Sequence, residues 1–123
     1  QRSMIESGKK DIANAVRSNY EQIGAEVVQD GDYPCWSPNP SSRILDVLVN
    51  QYKQMFNEEP RVEACHAGLE CGILGKHLPG CDMISFGPTI RNPHSPDEKV
   101  NIKSVQKFWE FFVKVLEETP SKN

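Results

Sequence analysis

The sequence has 123 residues, a length that fits one ordinary domain or two small pieces. Charged residues make up 25% of it and the formal net charge is −3, which excludes a nucleic-acid-binding protein that works through a basic surface. No run of about 18 apolar residues occurs, so we expect no transmembrane helix and no membrane partner. Helical sequence begins almost at once after Gln1, and we expect the chain to be a piece of a longer polypeptide.

The first thirty residues predict one helix followed by one strand. Ser3 and Glu6 have the spacing of a capping box, in which each side chain binds an orphan backbone amide at the helix start. Gly24 is well placed to end the helix, because glycine tolerates the left-handed conformation that closes many helices. β-branched residues within 25–29 favour a short strand. One helix and one strand are too little to bury a core alone.

Residues 30–40 predict an extended connector, because they contain three prolines and a glycine in eleven positions. We place the only domain boundary of the chain in this connector. The chain then divides into a first piece, residues 1–33, and a second piece, residues 37–123.

Beyond the connector, helices and strands are predicted to alternate. Asn39 is expected to cap a helix that has a proline at its first position and ends near Asn57. Residues 61–65 predict a short strand, a helix of about two turns is expected to begin near Glu70, and residues 81–86 predict a mostly apolar strand.

A proline-containing loop, residues 87–99, precedes the last helix, which Asn101 is expected to cap. Together with the preceding elements, this order predicts part of an α/β layer fold. The face of the last helix that is expected to be buried consists of Ile102, Val105, Phe108, Trp109, Phe112, Val113 and Leu116.

Two loops hold most of the residues that could carry chemistry. The first, residues 66–72, contains His66 and Glu70 around small residues that permit a close backbone approach, and the second runs through residues 85–98. Ligands of α/β sheets bind beyond the carboxyl ends of the strands, which is where both loops should lie. On residue type alone, His66 is more often a hydrogen-bonded structural histidine than a functional one. Glu70 either binds a substrate amine or favours the positive end of its helix.

His94 is the sharpest single candidate for a metal ligand. The neighbouring Pro93 and Pro96 are expected to hold its backbone extended and to display its ring on a stiff loop. Asp97 and Glu98 are near enough to orient the imidazole through its second nitrogen, as ligating histidines need. The alternative is an ordinary surface turn, because Ser-Pro-Asp-Glu is common turn chemistry.

The cysteines do not define a site. Their spacing contains no Cys-x-x-Cys pair, which makes a structural zinc site poor, and we expect four reduced thiols. One of them, Cys71, would be a nucleophile only with a paired base, and otherwise it is an inert thiol. The four are Cys35, Cys65, Cys71 and Cys81.

Three strings are specific enough to indicate a family. His-Ala-Gly-Leu-Glu-Cys-Gly spans 66–72, Asp-Met-Ile-Ser-Phe-Gly-Pro-Thr-Ile spans 82–90, and His-Ser-Pro-Asp-Glu spans 94–98. With them, the chain resembles the C-terminal part of the aminoacyl-histidine dipeptidases. These enzymes are also called Xaa-His dipeptidases or cytosol non-specific dipeptidases, and they belong to the co-catalytic di-zinc peptidases. The resemblance covers essentially the whole chain.

The resemblance implies a cytoplasmic enzyme that hydrolyses dipeptides, often with a C-terminal histidine, using two zinc ions and a glutamate as general base. It implies that His94 is a ligand of one metal, and that His66 and Glu70 contact substrate. It also implies that residues 1–33 are the last helix and strand of a ferredoxin-like lid domain. Residues 37–123 would then be the C-terminal part of the catalytic domain.

The sequence also departs from the family. The His-x-Asp-x-x-Pro metal motif, the bridging aspartate and the Glu-Glu pair are absent, so we assign no catalytic residue and expect the chain alone to be inactive. The expected partners are the dipeptide, the missing N-terminal part of the same enzyme and further copies in a homo-oligomer, with no nucleic acid. The alternative function is a non-catalytic binding or dimerisation module, since lid domains in this group commonly mediate dimerisation.

Overall fold

The computed structural model describes residues 2–65 and 70–119. The elements are α1 (Glu6–Gln22), α2 (Arg43–Phe56), α3 (Glu70–His77), β1 (Ile90–Arg91), β2 (Lys99–Val100) and α4 (Ile102–Glu118). None of the helices in the described ranges has both the length and the apolar character needed to cross a membrane.

Two compact units divide the chain. The first is drawn from Gln1–Pro40 and Val62–Cys81, and the second from Ser41–Arg61 and Asp82–Asn123. Each unit therefore combines two separate stretches of sequence. The domain boundary within residues 30–40 stays a prediction.

Helix α1 begins without the predicted capping box. Its N-cap position is Ile5, which makes no side-chain cap, and the Ser3 hydroxyl accepts the Ile5 amide at 3.1 Å. The Glu6 carboxylate instead accepts the Cys35 amide at 3.4 Å. The carboxylate that the capping box required for a backbone amide at the helix start therefore makes a tertiary contact. The predicted stop at Gly24 is confirmed, because Gly24 has a left-handed φ of 80° directly after the last helical turn.

Polar contacts hold the connector against α1 in the first unit. The Lys9 side chain is only 11% exposed, and its ammonium lies 3.0 Å from Glu6 Oε1 and 2.6 Å from Asp32 Oδ1. The same ammonium donates to the Tyr33 carbonyl at 2.7 Å. The Gln29 amide donates to a backbone carbonyl of α1 at 2.8 Å. A largely buried ammonium with three acceptors therefore fixes the path of the connector.

Helix α2 begins later than predicted. The expected cap at Asn39 is wrong, because the N-cap is Ser42, whose hydroxyl accepts the Leu45 amide at 3.1 Å. The Ile44 amide donates to the Asp82 carboxylate at 3.1 Å, so two side chains satisfy the free amides of this helix start. The helix ends as predicted at Asn57, which is left-handed with a φ of 51°.

The core of the second unit lies between α2 and α4. Its buried residues are Leu48, Phe111 and Val115, with Ile44, Tyr52, Phe56 and Ile84 packed against them. The buried face predicted for α4 is therefore wrong in part. Ile102 is 84% exposed and Trp109 is 61% exposed, whereas Phe111 and Val115 face the core. α4 carries apolar residues on two faces, and its packing partner α2 decides which of them is covered.

The three predicted strands are not formed. The structure assigns no strand to residues 25–29, 61–65 or 81–86. A segment with the composition of a strand forms one only where another strand pairs with it by hydrogen bonds. The ladder that does form among the described residues is antiparallel and short, and it pairs Ile90 with Val100 and Arg91 with Lys99. All of these residues except Val100 lie in the region predicted as loop. The described chain is therefore mixed but rich in helix.

Candidate metal-ligand loop and substrate loop

The loop that carries His94 is held at both ends. β1 and β2 bracket residues 92–98. The Asn101 amide donates to the Thr89 carbonyl at 2.9 Å, and the Thr89 amide donates to the Ser104 hydroxyl at 2.9 Å. Asn101 also caps α4 as predicted, because its side chain accepts the Ser104 amide at 3.1 Å. A two-residue ladder and a helix start thus anchor a seven-residue loop.

His94 lies exposed on this loop, but its backbone is not extended as predicted. Its φ is 64°, in the left-handed region that side-chain-bearing residues seldom adopt. The prolines on either side do not impose that value, since proline restricts its own φ and the residue directly before it. The fixed ends of the loop and its internal hydrogen bonds set the conformation instead.

Glu98 contacts His94 in an unexpected way. Its Oε2 accepts the backbone amide of His94 at 2.7 Å. The sequence had suggested that Glu98 orients the imidazole through a ring nitrogen, whereas the structure places this carboxylate on the backbone. The imidazole is left exposed on the surface of the second unit.

The substrate-loop residues are placed only in part. Glu70 is exposed and is the first residue of α3, which begins where predicted and where a carboxylate complements the positive end of the helix dipole. His66 lies outside the described residues. Glu70 belongs to the first unit and His94 to the second.

The described residues do not contain a complete metal site. Among residues 2–65 and 70–119, no group of three or more His, Cys, Asp or Glu side chains could hold a metal ion. The four cysteines are free thiols in the structure. A metal bound at His94 would therefore need further ligands from outside the described residues.

Sequence reasoning missed the polar cluster around Lys9 in the first unit. Glu6, Lys9, Asp32 and Cys35 line one cleft there. The hydrogen bond from Lys9 lowers the pKa of the Glu6 carboxyl, and the hydrogen bond to Asp32 raises the pKa of Lys9. Burial raises the pKa of the Cys35 thiol, which keeps it a neutral and poor nucleophile. The available signal was a lysine at the helical spacing of an apolar face, three residues before Ile12 and seven before Val16.

Comparison with known proteins identifies the family. Residues 5–118 match the profile of Peptidase family M20/M25/M40, and the chain therefore belongs to this family. The predicted resemblance to the aminoacyl-histidine dipeptidases is confirmed at this level.

Two proteins of known name are similar to the chain in sequence. The chain is 41% identical over 121 residues, 98% of its length, to the cytosol non-specific dipeptidase of Escherichia coli (strain K12), of which it covers 25%. It is 20% identical over 117 residues, 95% of its length, to the succinyl-diaminopimelate desuccinylase of Nautilia profundicola, of which it covers 32%.

A solved structure is also similar to this chain. The aminoacylhistidine dipeptidase from Vibrio alginolyticus matches with a TM-score of 0.79 and 42% identity, over 98% of this chain and 25% of that chain. The chain thus spans a quarter to a third of the length of the relatives it matches.

Proposed function

We propose that this chain is the C-terminal part of a metal-dependent dipeptidase that hydrolyses dipeptides, including those with a C-terminal histidine. The observation that carries the proposal is the 41% identity to a cytosol non-specific dipeptidase over nearly the whole chain. The Vibrio alginolyticus relative, an aminoacylhistidine dipeptidase, supports the same substrate class. The name of the Escherichia coli relative supports a cytoplasmic location.

In this proposal the chain contributes two pieces to the enzyme. Residues 1–33 are the last helix and strand of a ferredoxin-like lid domain, and residues 37–123 are the C-terminal part of the α/β catalytic domain. The connector that Lys9 holds against α1 is then the link between the two. The remaining three quarters of the enzyme would supply the other metal ligands and the general base.

His94 would hold one of two zinc ions. The chemistry of the residue fits, because an exposed imidazole on an anchored loop is a common zinc ligand. Zinc bound there would polarise the scissile carbonyl and lower the pKa of a bound water. The chain itself supplies the imidazole and the rigid loop that fixes its position.

His66 and Glu70 would bind the dipeptide. Glu70 presents an exposed carboxylate that can accept hydrogen bonds from the α-amino group of a substrate. We expect Glu70→Gln to raise KM for a dipeptide more than it lowers kcat, because the substituted residue binds substrate without touching the scissile bond. An N-acylated dipeptide lacks the free α-amino group, so Glu70→Gln should not raise KM for this substrate. An equal rise in KM for both substrates would contradict the role of Glu70.

A hybrid enzyme tests the proposed function. In this hybrid enzyme the chain replaces the region of the Escherichia coli dipeptidase to which it aligns. We expect the hybrid enzyme to hydrolyse a Xaa-His dipeptide and His94→Ala to abolish hydrolysis, with circular dichroism as the control for folding. Full activity of the His94→Ala hybrid would contradict the proposal.

The isolated chain should be inactive. One imidazole cannot hold two zinc ions, so we expect the purified 123-residue chain with added zinc to leave a Xaa-His dipeptide intact. Hydrolysis by the 123-residue chain above the level of a His94→Ala control would contradict this expectation, because the chain alone would then form a working active site.

The second candidate is a non-catalytic module that assembles with another copy of the chain. It is favoured by an exposed apolar stripe formed by Ile12, Val16 and Tyr20 of α1 and by Ile23, the C-cap of this helix. We expect light scattering to show a dimer that Val16→Lys dissociates, whereas Ser18→Lys on the exposed polar side of α1 leaves it intact. A monomer at high protein concentration would exclude this candidate and the homo-oligomer.

A further inference from the structure

The backbone of His94 depends on a carboxylate four residues further along the loop. His94 has a φ of 64° and Asn92 has a φ of 52°, so two residues with side chains adopt the left-handed region within three positions. Such conformations persist only where surrounding contacts impose them. The His94 amide is satisfied by Glu98 Oε2 at 2.7 Å, a short charge-assisted hydrogen bond.

Other hydrogen bonds of the loop fix the backbone of Glu98, and one of them links Asn92 to Ser95 on the two sides of His94. The Glu98 amide donates to the Ser95 carbonyl at 3.0 Å, and the Asp97 amide donates to the Ser95 hydroxyl at 3.2 Å. That hydroxyl in turn donates to the Asn92 carbonyl at 2.9 Å. Lys99, which follows Glu98 directly, belongs to the β1–β2 ladder. The carboxylate of Glu98 is thus the contact that joins a fixed part of the loop to the His94 amide.

We propose that Glu98 is a positioning residue: by accepting the His94 amide it holds that residue left-handed and so sets the direction in which its imidazole leaves the loop. The inference rests on the proposed role of His94 as a metal ligand. Glu98 touches neither metal nor substrate in this account. It acts on the metal through the backbone, unlike the usual partner that hydrogen-bonds the second ring nitrogen of a ligating histidine.

The expected effect is a loss of metal affinity without loss of the fold. Supporting contacts around metal ligands are worth about 10- to 100-fold in affinity, and we expect Glu98→Ala to weaken zinc binding by about this factor. Glu98→Gln keeps an oxygen that can accept the amide, so it should retain most of the affinity. Glu110→Ala is the control, because Glu110 is an exposed carboxylate on α4 that contacts Gln106.

Two measurements separate the steps of the inference. In the 123-residue chain, amide hydrogen exchange by NMR should show that the His94 amide is protected. This amide should exchange faster in Glu98→Ala, whereas its exchange rate in Glu110→Ala should equal that in the parent chain. In the hybrid enzyme, competition with a zinc chelator gives the zinc affinity of the same variants. Glu98→Ala should lower this affinity, and Glu98→Gln should restore most of it.

Each result decides a different point. Faster exchange with unchanged zinc affinity would overturn the positioning role, and so would a Glu98→Gln variant as weak as Glu98→Ala. Unfolding of Glu98→Ala would also overturn it, since the role would then be structural. If His94→Ala leaves zinc affinity intact, the proposed function fails instead, while the exchange of the His94 amide still reports whether Glu98 holds the backbone.

Discussion

Replacing Phe111 should destabilise the second unit strongly. Its side chain is 7% exposed, and its ring lies 5.5 Å from Tyr52, 5.6 Å from Phe86 and 6.2 Å from Phe56, measured between centroids. Truncating a buried phenylalanine to alanine costs about 3–5 kcal/mol. Aromatic pairs add about 0.5–1.5 kcal/mol beyond the buried area, which places Phe111→Ala in the upper part of that range.

Trp109 provides the matched control on the same helix. It is 61% exposed and its ring contacts Phe112 at 6.2 Å, so Trp109→Ala removes little buried surface. We expect this control to cost less than about 1 kcal/mol, since exposed positions contribute little. Phe111→Leu should lie between them at about 1.5 kcal/mol, because it conserves most of the volume.

Urea unfolding followed by circular dichroism measures these differences as changes in the free energy of unfolding. The predicted order of loss is Phe111→Ala, then Phe111→Leu, then Trp109→Ala. Equal losses for Phe111→Ala and Trp109→Ala would refute the reasoning, because they would mean that α4 does not bury the face described.

Two further predictions concern the first unit. Gly72→Ala places a Cβ against the Pro34 carbonyl, and the overpacking cost of about 1–3 kcal/mol should exceed the roughly 0.5–1 kcal/mol gained from alanine in a helix. Gly87→Ala is the control and should be neutral, because a Cβ there meets nothing within 4 Å. Thermal unfolding should give Gly72→Ala the lower melting temperature, and equal melting temperatures of the two variants would contradict this prediction. Lys9→Met should be less stable than the parent chain near neutral pH, because the Lys9 ammonium pairs with Asp32 and Glu6. The difference should shrink as the pH falls through the lowered pKa of Glu6, where this carboxylate loses its charge, and as the pH rises through the raised pKa of Lys9, where the ammonium loses its charge; a difference that stays constant with pH would contradict this prediction.

Helices and their ends were largely predictable because their signals are local. Asn101 caps α4 and Gly24 follows α1 as expected, and in both cases the deciding atoms lie within a few residues in sequence. The cap of α2 is also local, because Ser42 accepts the Leu45 amide, and the prediction of Asn39 chose the wrong one of several possible caps. Other contacts at the helix starts involve distant partners. Glu6 contacts Cys35, 29 residues away, and Asp82 contacts the Ile44 amide, 38 residues away. No local pattern contains such contacts.

The strands could not be predicted because a strand depends on pairing. Residues 25–29 and 81–86 have the composition of strands, yet a ladder forms only between β1 and β2. The buried face of α4 failed for a similar reason. Both of its faces are apolar, and only the position of α2 shows that Phe111 rather than Trp109 is covered.

The candidate site was predictable in its residue types and not in its geometry. The flanking prolines and acidic residues marked His94 as a displayed imidazole, and the structure leaves it exposed on an anchored loop. Its left-handed backbone and the bond from its amide to Glu98 depend on how the whole loop closes. The roles of His66, Glu70 and His94 stay predictions.

Zinc content is the measurement that tests the central claim most directly. The hybrid enzyme, dialysed against a weak chelator, should retain two zinc ions per chain by mass spectrometry of its metals, and His94→Ala should retain fewer and lose dipeptide hydrolysis. Equal zinc content and equal hydrolysis in the two proteins would contradict the assignment of His94 as a metal ligand.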